Sequence, residues 1–124
     1  MESGVRTVLV VEDDRSMRLL FRVNLELEGY RVLEGATIPD ARRLLDSEQI
    51  DFVVLDVHVG GDSGYDLIDA IRDRHRQAPI ALITGSAEIG AEERARVDAV
   101  LPKPFALEDL IAAIGRLTGS AASS

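Results

Sequence analysis

Asp51-Phe52-Val53-Val54-Leu55-Asp56, running into His58-Val59-Gly60-Gly61-Asp62-Ser63-Gly64, decides how the rest of the chain reads. Four apolar residues in a row, bounded by acids and then by glycines, spell a short strand buried on both faces. Such a strand ends where a parallel sheet opens onto its functional edge, and Asp56 stands at that end. A carboxylate there is a ligand, a nucleophile or an accident of position. The neighbouring segments have to decide.

Working outward, Thr7 to Val11 is β-branched and apolar, a second fully buried strand that runs straight into Glu12-Asp13-Asp14. Three adjacent carboxylates repel one another and need a cation, solvent or a helix N-terminus close by. From Arg15 to Glu28, the residues Met17, Leu20, Phe21, Leu25 and Leu27 give a helical stripe, with Asp14 as N-cap and Gly29 as the stop. Tyr30 to Leu33 predicts a short strand. Thr37-Ile38-Pro39-Asp40 predicts a helix start, with Ala41, Leu44 and Leu45 facing inward. After the central strand, Leu67, Ile68 and Ile71 mark a helix that dissolves into the charged run Arg72 to Arg76, where His75 reads as surface. Pro79 to Thr84 is a further strand ended by Gly85-Ser86, and residues 88–96 allow a thin helix. Val97 to Leu101 predicts the last strand, stopped by Pro102-Lys103-Pro104, and Leu107, Leu110, Ile111, Ile114 and Leu117 an amphipathic closing helix. Residues 119–124 have the composition of a flexible tail or the start of a linker, leaving one domain over 1–118. Five strands alternating with five helices, mostly without in-out alternation, imply an α/β domain with a doubly wound parallel sheet covered on both faces.

Composition removes several functions. The 124 residues suffice for one core but not two. A formal charge of -8 argues against gripping nucleic acid, which wants a basic footprint. No apolar run approaches the roughly 20 residues of a membrane span, and no leader is visible, so a cytoplasmic protein is expected. With no cysteine, disulfides and thiolate metal sites are excluded. The chain uses arginine 13 times and lysine once, at Lys103. A compact ammonium places one point charge in a tight pocket, where a planar guanidinium does not.

In a sheet of this kind ligands gather at the carboxyl ends of the strands. Those ends carry Glu12 and Asp13, then Asp56, then Thr84, then Lys103. A hard divalent cation explains the carboxylates, and Mg²⁺ suits one or two of them together with water and phosphate oxygens. With a metal on one side and the lysine on the other, a phosphoryl group between them is balanced, and Asp56 is a competent nucleophile for it.

The segments Val-Val-Glu12-Asp13-Asp14, Val-Leu-Asp56, Leu-Ile-Thr84-Gly and Pro-Lys103-Pro104-Phe105, each at a strand end and in this order, resemble the receiver domain of two-component response regulators over about residues 5–118. The resemblance implies a flavodoxin-like sheet in the strand order 2-1-3-4-5. It makes Asp56 the phosphoacceptor fed by a histidine kinase or a phosphotransfer protein. Asp13 and Asp56 would hold Mg²⁺ with the backbone carbonyl of His58, and Glu12 would act through water. Thr84 would move onto the phosphate, Lys103 would pair with a phosphate oxygen, and Gly85 would leave the phosphate room to enter. The Lys103–Pro104 bond would be cis. Such a domain is a signalling phosphoacceptor rather than an enzyme. It switches a surface read by a downstream effector domain or partner, or by a second copy in a phosphorylation-dependent homodimer.

This sequence also departs from the family pattern. Gly60 and Gly61 stand where proline is usual, which predicts a more mobile loop. Val100 replaces a switch aromatic, and the stretch holding the fourth helix is shorter than usual, so the readout stays open. The His58 ring reads as solvent-facing, and it or Ser86 would tune phosphate loss. Two rivals are a pseudo-receiver interaction module uncoupled from phosphorylation and a Mg²⁺-dependent aspartyl-nucleophile phosphohydrolase. The second wants a general acid where His58 stands, and a cap the chain lacks. A flavin or dinucleotide binder ranks last, because Glu12 to Met17 has no glycine to cradle phosphate.

Overall fold

The computed structural model describes residues 4–85 and 89–118. In chain order the elements are β1 (Thr7–Val11), α1 (Arg15–Leu27), β2 (Arg31–Gly35), α2 (Ile38–Ser47), β3 (Phe52–Asp56), β4 (His58–Val59), β5 (Asp62–Ser63), a 3₁₀ turn over Gly64–Leu67, α3 (Ile68–Arg74), β6 (Ile80–Thr84), α4 (Ala91–Ala95), β7 (Ala99–Pro102) and α5 (Leu107–Thr118). Five strands form one sheet in the order β2-β1-β3-β6-β7, every pair parallel. Counting only these five, the order is the expected 2-1-3-4-5.

Successive residues of a strand point to opposite faces, and both faces here are apolar. Leu9, Val11, Val53, Leu55 and Leu82 pack under α2 and α3, against Ala41, Leu45, Ile68 and Ile71. Val8, Val10, Val54 and Ile83 pack under α1 and α5, against Phe21, Leu25, Leu110 and Ile114. Each fully buried Leu, Ile or Phe contributes roughly 1.5–3 kcal/mol by leaving water. Both predicted caps form: Asp14 Oδ1 accepts from the Met17 N–H at 3.1 Å, and Thr37 Oγ1 from the Asp40 N–H at 3.1 Å. Gly29 closes α1, with its own N–H on the Glu26 carbonyl and that of Tyr30 on Leu25.

Four expectations need correction. Leu20 and Leu27 do not belong to the inner stripe of α1. Met17, Phe21 and Leu25 supply it, while Leu19, Leu20, Val23 and Leu27 lie on the outer side, Leu27 at 77% exposure. His75 is no free surface residue: its Nε2 lies 2.7 Å from the Leu45 carbonyl. A carbonyl only accepts, so Nε2 carries the proton and staples α3 to α2. The fourth helix is shorter than 88–96, five residues with none buried; residues 86–88, Ser86 among them, lie outside the described residues, as does the predicted tail 119–124.

The fourth correction concerns the double glycine. His58–Val59 and Asp62–Ser63 pair antiparallel, and the turn between them is Gly60 at φ +59° and Gly61 at φ +88°. A two-residue hairpin of this hand requires positive φ at both central positions, a region L side chains rarely adopt. The glycines therefore build a specific hairpin, a structure the sequence reading did not assign to this loop.

Candidate functional site

β1, β3, β6 and β7 end on the same side of the sheet, and their ends bring Glu12, Asp13, Asp56, Thr84 and Lys103 to one cleft. Asp56, the last residue of β3, is 4% exposed, with Glu12 at 2% and Thr84 at 3%. Asp13 is exposed at the rim. One oxygen from each of Glu12, Asp13 and Asp56 lies within 4.8 Å of the others, a group able to hold a metal ion.

Both Asp56 oxygens are engaged. Oδ1 accepts from the His58 N–H at 3.1 Å and Oδ2 from Lys103 Nζ at 3.0 Å. The lysine is positioned by its own backbone: its N–H donates to the Thr84 carbonyl at 2.7 Å, tying the ends of β6 and β7 together. The Lys103–Pro104 bond is cis, as the resemblance implied. Phe105 then turns back to stack on Phe21 of α1, with ring centroids 6.2 Å apart.

The acids are held unequally. Burial, and then the neighbouring Asp56 carboxylate, push Glu12 up to about 8. Its Oε2 accepts from the Asp14 N–H at 3.1 Å, whereas its Oε1 is buried and has no hydrogen-bond partner. Asp13 is lowered, first by the Gly60 N–H, which donates to its Oδ2 at 3.1 Å. Burial pulls the Lys103 ammonium down, but its bond to Asp56 and the charges of Glu12 and Asp13 outweigh that and raise it. A buried oxygen without a donor, in a cluster of hard carboxylate oxygens, fits a hard divalent cation.

Two contributors escaped the sequence reading. The hairpin glycine Gly60 supplies the donor that holds Asp13. Gly64 touches the acceptor itself: a Cβ there would lie 1.9 Å from the Asp56 carbonyl oxygen, and its N–H donates to Val57 at 2.6 Å. A Gly-Gly pair at a two-residue spacing is a turn signal of the hairpin kind, so the first was partly available. The second depends on how closely the chain doubles back, which no spacing reveals. Beside Thr84 the space is open, since a Cβ on Gly85 would meet nothing within 4 Å. The His58 side chain is exposed, as expected.

A doubly wound parallel sheet of this order, with acids, a hydroxyl and a lysine at its carboxyl edge, is an α/β domain of the flavodoxin-like class. The family model of the response regulator receiver domain matches residues 8–115, and the chain belongs to that family, a signalling domain of two-component systems. The transcriptional regulatory protein CpxR of Escherichia coli K12 is 36% identical over 116 residues, covering 86% of this chain and 47% of the relative. The chain thus spans about half the length of the curated relatives it matches. Among solved structures, a response regulator from Burkholderia pseudomallei with a phosphorylated aspartic acid, calcium ion and citrate is 28% identical. Its TM-score is 0.83, covering 95% of this chain and 71% of that one. The receiver domain of the sensor histidine kinase PA1611 from Pseudomonas aeruginosa, with magnesium in its active site cleft, is 28% identical at TM-score 0.81. It covers 94% of this chain and all of that one. No helix among the described residues is long and apolar enough to cross a membrane.

Proposed function

We propose that Asp56 accepts a phosphoryl group from a phosphohistidine and that the acyl phosphate switches a surface read by an effector. The observation that carries this is the convergence of Glu12, Asp13, Asp56, Thr84 and Lys103 on one cleft, with Lys103 already on Asp56. An Asp56 oxygen attacks phosphorus, an O–P bond forms, the N–P bond breaks, and the electron pair returns to the imidazole nitrogen. Lys103 is released from the carboxylate to a phosphate oxygen, and the His58 N–H orients the oxygen that does not attack. Thr84, buried at the end of β6, offers its hydroxyl to the new phosphate. Glu12, Asp13, Asp56 and the His58 carbonyl are the groups that would hold Mg²⁺, which when bound neutralises charge on the phosphoryl oxygens.

The metal and the phosphorylated aspartate of the two related structures support this reading. The exposed apolar row on α1 gives a donor protein something to dock on beside the cleft. Donor and domain then meet in the cytoplasm, and the domain acts as a phosphoacceptor, not as an enzyme on an external substrate. Downstream, an effector domain, a partner or a second copy reads the change.

Intact mass after incubation with acetyl phosphate and Mg²⁺ tests this. A gain of one phosphoryl group is expected, absent without Mg²⁺ and in Asp56→Ala. An unchanged mass in a protein that melts cooperatively would defeat the proposal.

A further inference from the structure

Asp13 poses a positional problem. It is exposed and lies between β1 and α1 rather than in either. Yet it contributes an oxygen to the acid cluster. Something outside the cluster has to fix its backbone.

Arg18, in the first turns of α1, reaches back across that loop. Its Nη1 donates to the carbonyl oxygen of Glu12 at 2.9 Å and to that of Asp13 at 3.1 Å. Those carbonyls belong to the two peptide planes on either side of Asp13. A peptide unit is planar, so holding both carbonyl oxygens restricts φ and ψ of the residue between them. One nitrogen thus constrains the direction in which the Asp13 side chain leaves the backbone. The Gly60 N–H then holds the carboxylate at its far end, at 3.1 Å.

The guanidinium is locked in turn. Its Nε lies 3.3 Å from Glu34 Oε1 on β2, while Arg22 Nη1 holds Glu34 Oε2 at 3.0 Å. The Arg18 side chain is only 15% exposed. Its positive charge sits beside the acids but binds none of the cluster's carboxylate oxygens. It opposes their repulsion and leaves those oxygens open. A lysine has no planar fork with which to serve two carbonyls and Glu34 at once.

We propose that Arg18, locked by Glu34, is the positioning residue that aims Asp13 for metal binding; this rests on the metal reading above. Partners that orient metal ligands are worth about 10–100-fold in affinity. The test is calorimetric titration of Mg²⁺ into the unphosphorylated chain and its Arg18→Met, Arg18→Lys, Glu34→Gln and Arg31→Gln variants. The last breaks an exposed pair with Glu48 remote from the loop. Arg18→Met is expected to weaken Mg²⁺ about tenfold or more, Arg18→Lys less, Glu34→Gln least, and Arg31→Gln not at all. Before metal is added, the Gly60 amide resonance should move in Arg18→Met and stay in place in Arg31→Gln, because its acceptor has shifted. Affinity within twofold of the parent in a folded Arg18→Met overturns the inference. If that variant does not fold, parental affinity in Glu34→Gln does the same. A parent that takes up no Mg²⁺ sinks the metal reading and this inference together, an outcome distinct from both.

Discussion

The two halves of the sheet are built to different standards. In the central strands β1 and β3 every residue is buried, Asp56 is pinned by two donors, and the acid loop is held by Arg18, Gly60 and the Asp14 N–H. At the other edge α4 has five residues and none buried, and β7 has three half-buried residues and ends on the exposed Pro102. Polar contacts hold that region. Arg72 donates to the carbonyls of Ala78 and Arg96, both at 2.9 Å, and to Asp98 Oδ2 at 3.1 Å. Arg96 pairs with Asp69 of α3. A group that must meet phosphorus needs fixed geometry, whereas a surface that changes state must come from weakly held structure. Under the proposed function, the acid cluster would draw on the tightly held centre and the readout surface on the loosely held edge, with Lys103 joining the two.

Breaking the rigid half should have the largest effect. In Gly64→Ala the new Cβ lies 1.9 Å from the Asp56 carbonyl oxygen and 3.0 Å from its carbon, both backbone atoms that cannot step aside alone. A loss of about 3 kcal/mol is expected in urea unfolding, with slower phosphoryl uptake because Asp56 itself moves. Gly85→Ala, where the added Cβ meets nothing, should stay within about 0.5 kcal/mol of the parent. Equal effects at the two positions would erase the distinction between a packed strand end and an open one.

How far this division was legible in the sequence follows the range of the interactions. β1 and β3 declared themselves through apolar runs, and Asp14 and Thr37 through side chains that cap their own neighbours. The site was legible for the same reason: a parallel sheet collects strand ends, so Glu12, Asp13, Asp56, Thr84 and Lys103 could be gathered without coordinates. What stayed hidden joins distant segments by geometry. Arg18 finds Glu34 only because β2 lies beside β1, and Arg72 meets Asp98 only through the β6–β7 register. The outer apolar side of α1 was misread because a stripe of leucines does not say how wide a face the sheet covers. His75 was misread because a charged run hides a single stapling contact.

A moderate effect should come from Arg72→Met, which keeps the stem and removes three hydrogen bonds from the α4–β7 side. About 1–2 kcal/mol is expected, discounted because the pair with Asp98 is a third exposed. The sharper readout is amide hydrogen exchange. Amides at Asp98 and Ala99 should open faster, while those of Val53 to Leu55 keep their protection. Uniform loss across the sheet would mean that the two halves unfold as one unit.

A last prediction concerns charge beside Asp56, and its sign is unambiguous. Glu12 rises from 4.5 to about 8, so between those values the native chain holds a proton that the unfolded chain has released. Where the native state binds more protons, stability falls as pH rises. The contribution is therefore fully present below about pH 4.5, declines through the neutral range and is gone above about 8. Glu12→Gln should flatten that part of the melting profile without lowering stability at pH 7, because the native carboxyl is already neutral there. The same proton competes with a cation for the cleft, so Mg²⁺ affinity should climb with pH up to about 8 and then level off. A metal-free profile that rises over that range would place the Glu12 proton elsewhere, and a flat Mg²⁺ profile would remove Glu12 from the metal's surroundings. Either result would leave Asp13 and Asp56 as the acids that matter and make Arg18's hold on the first of them the deciding contact.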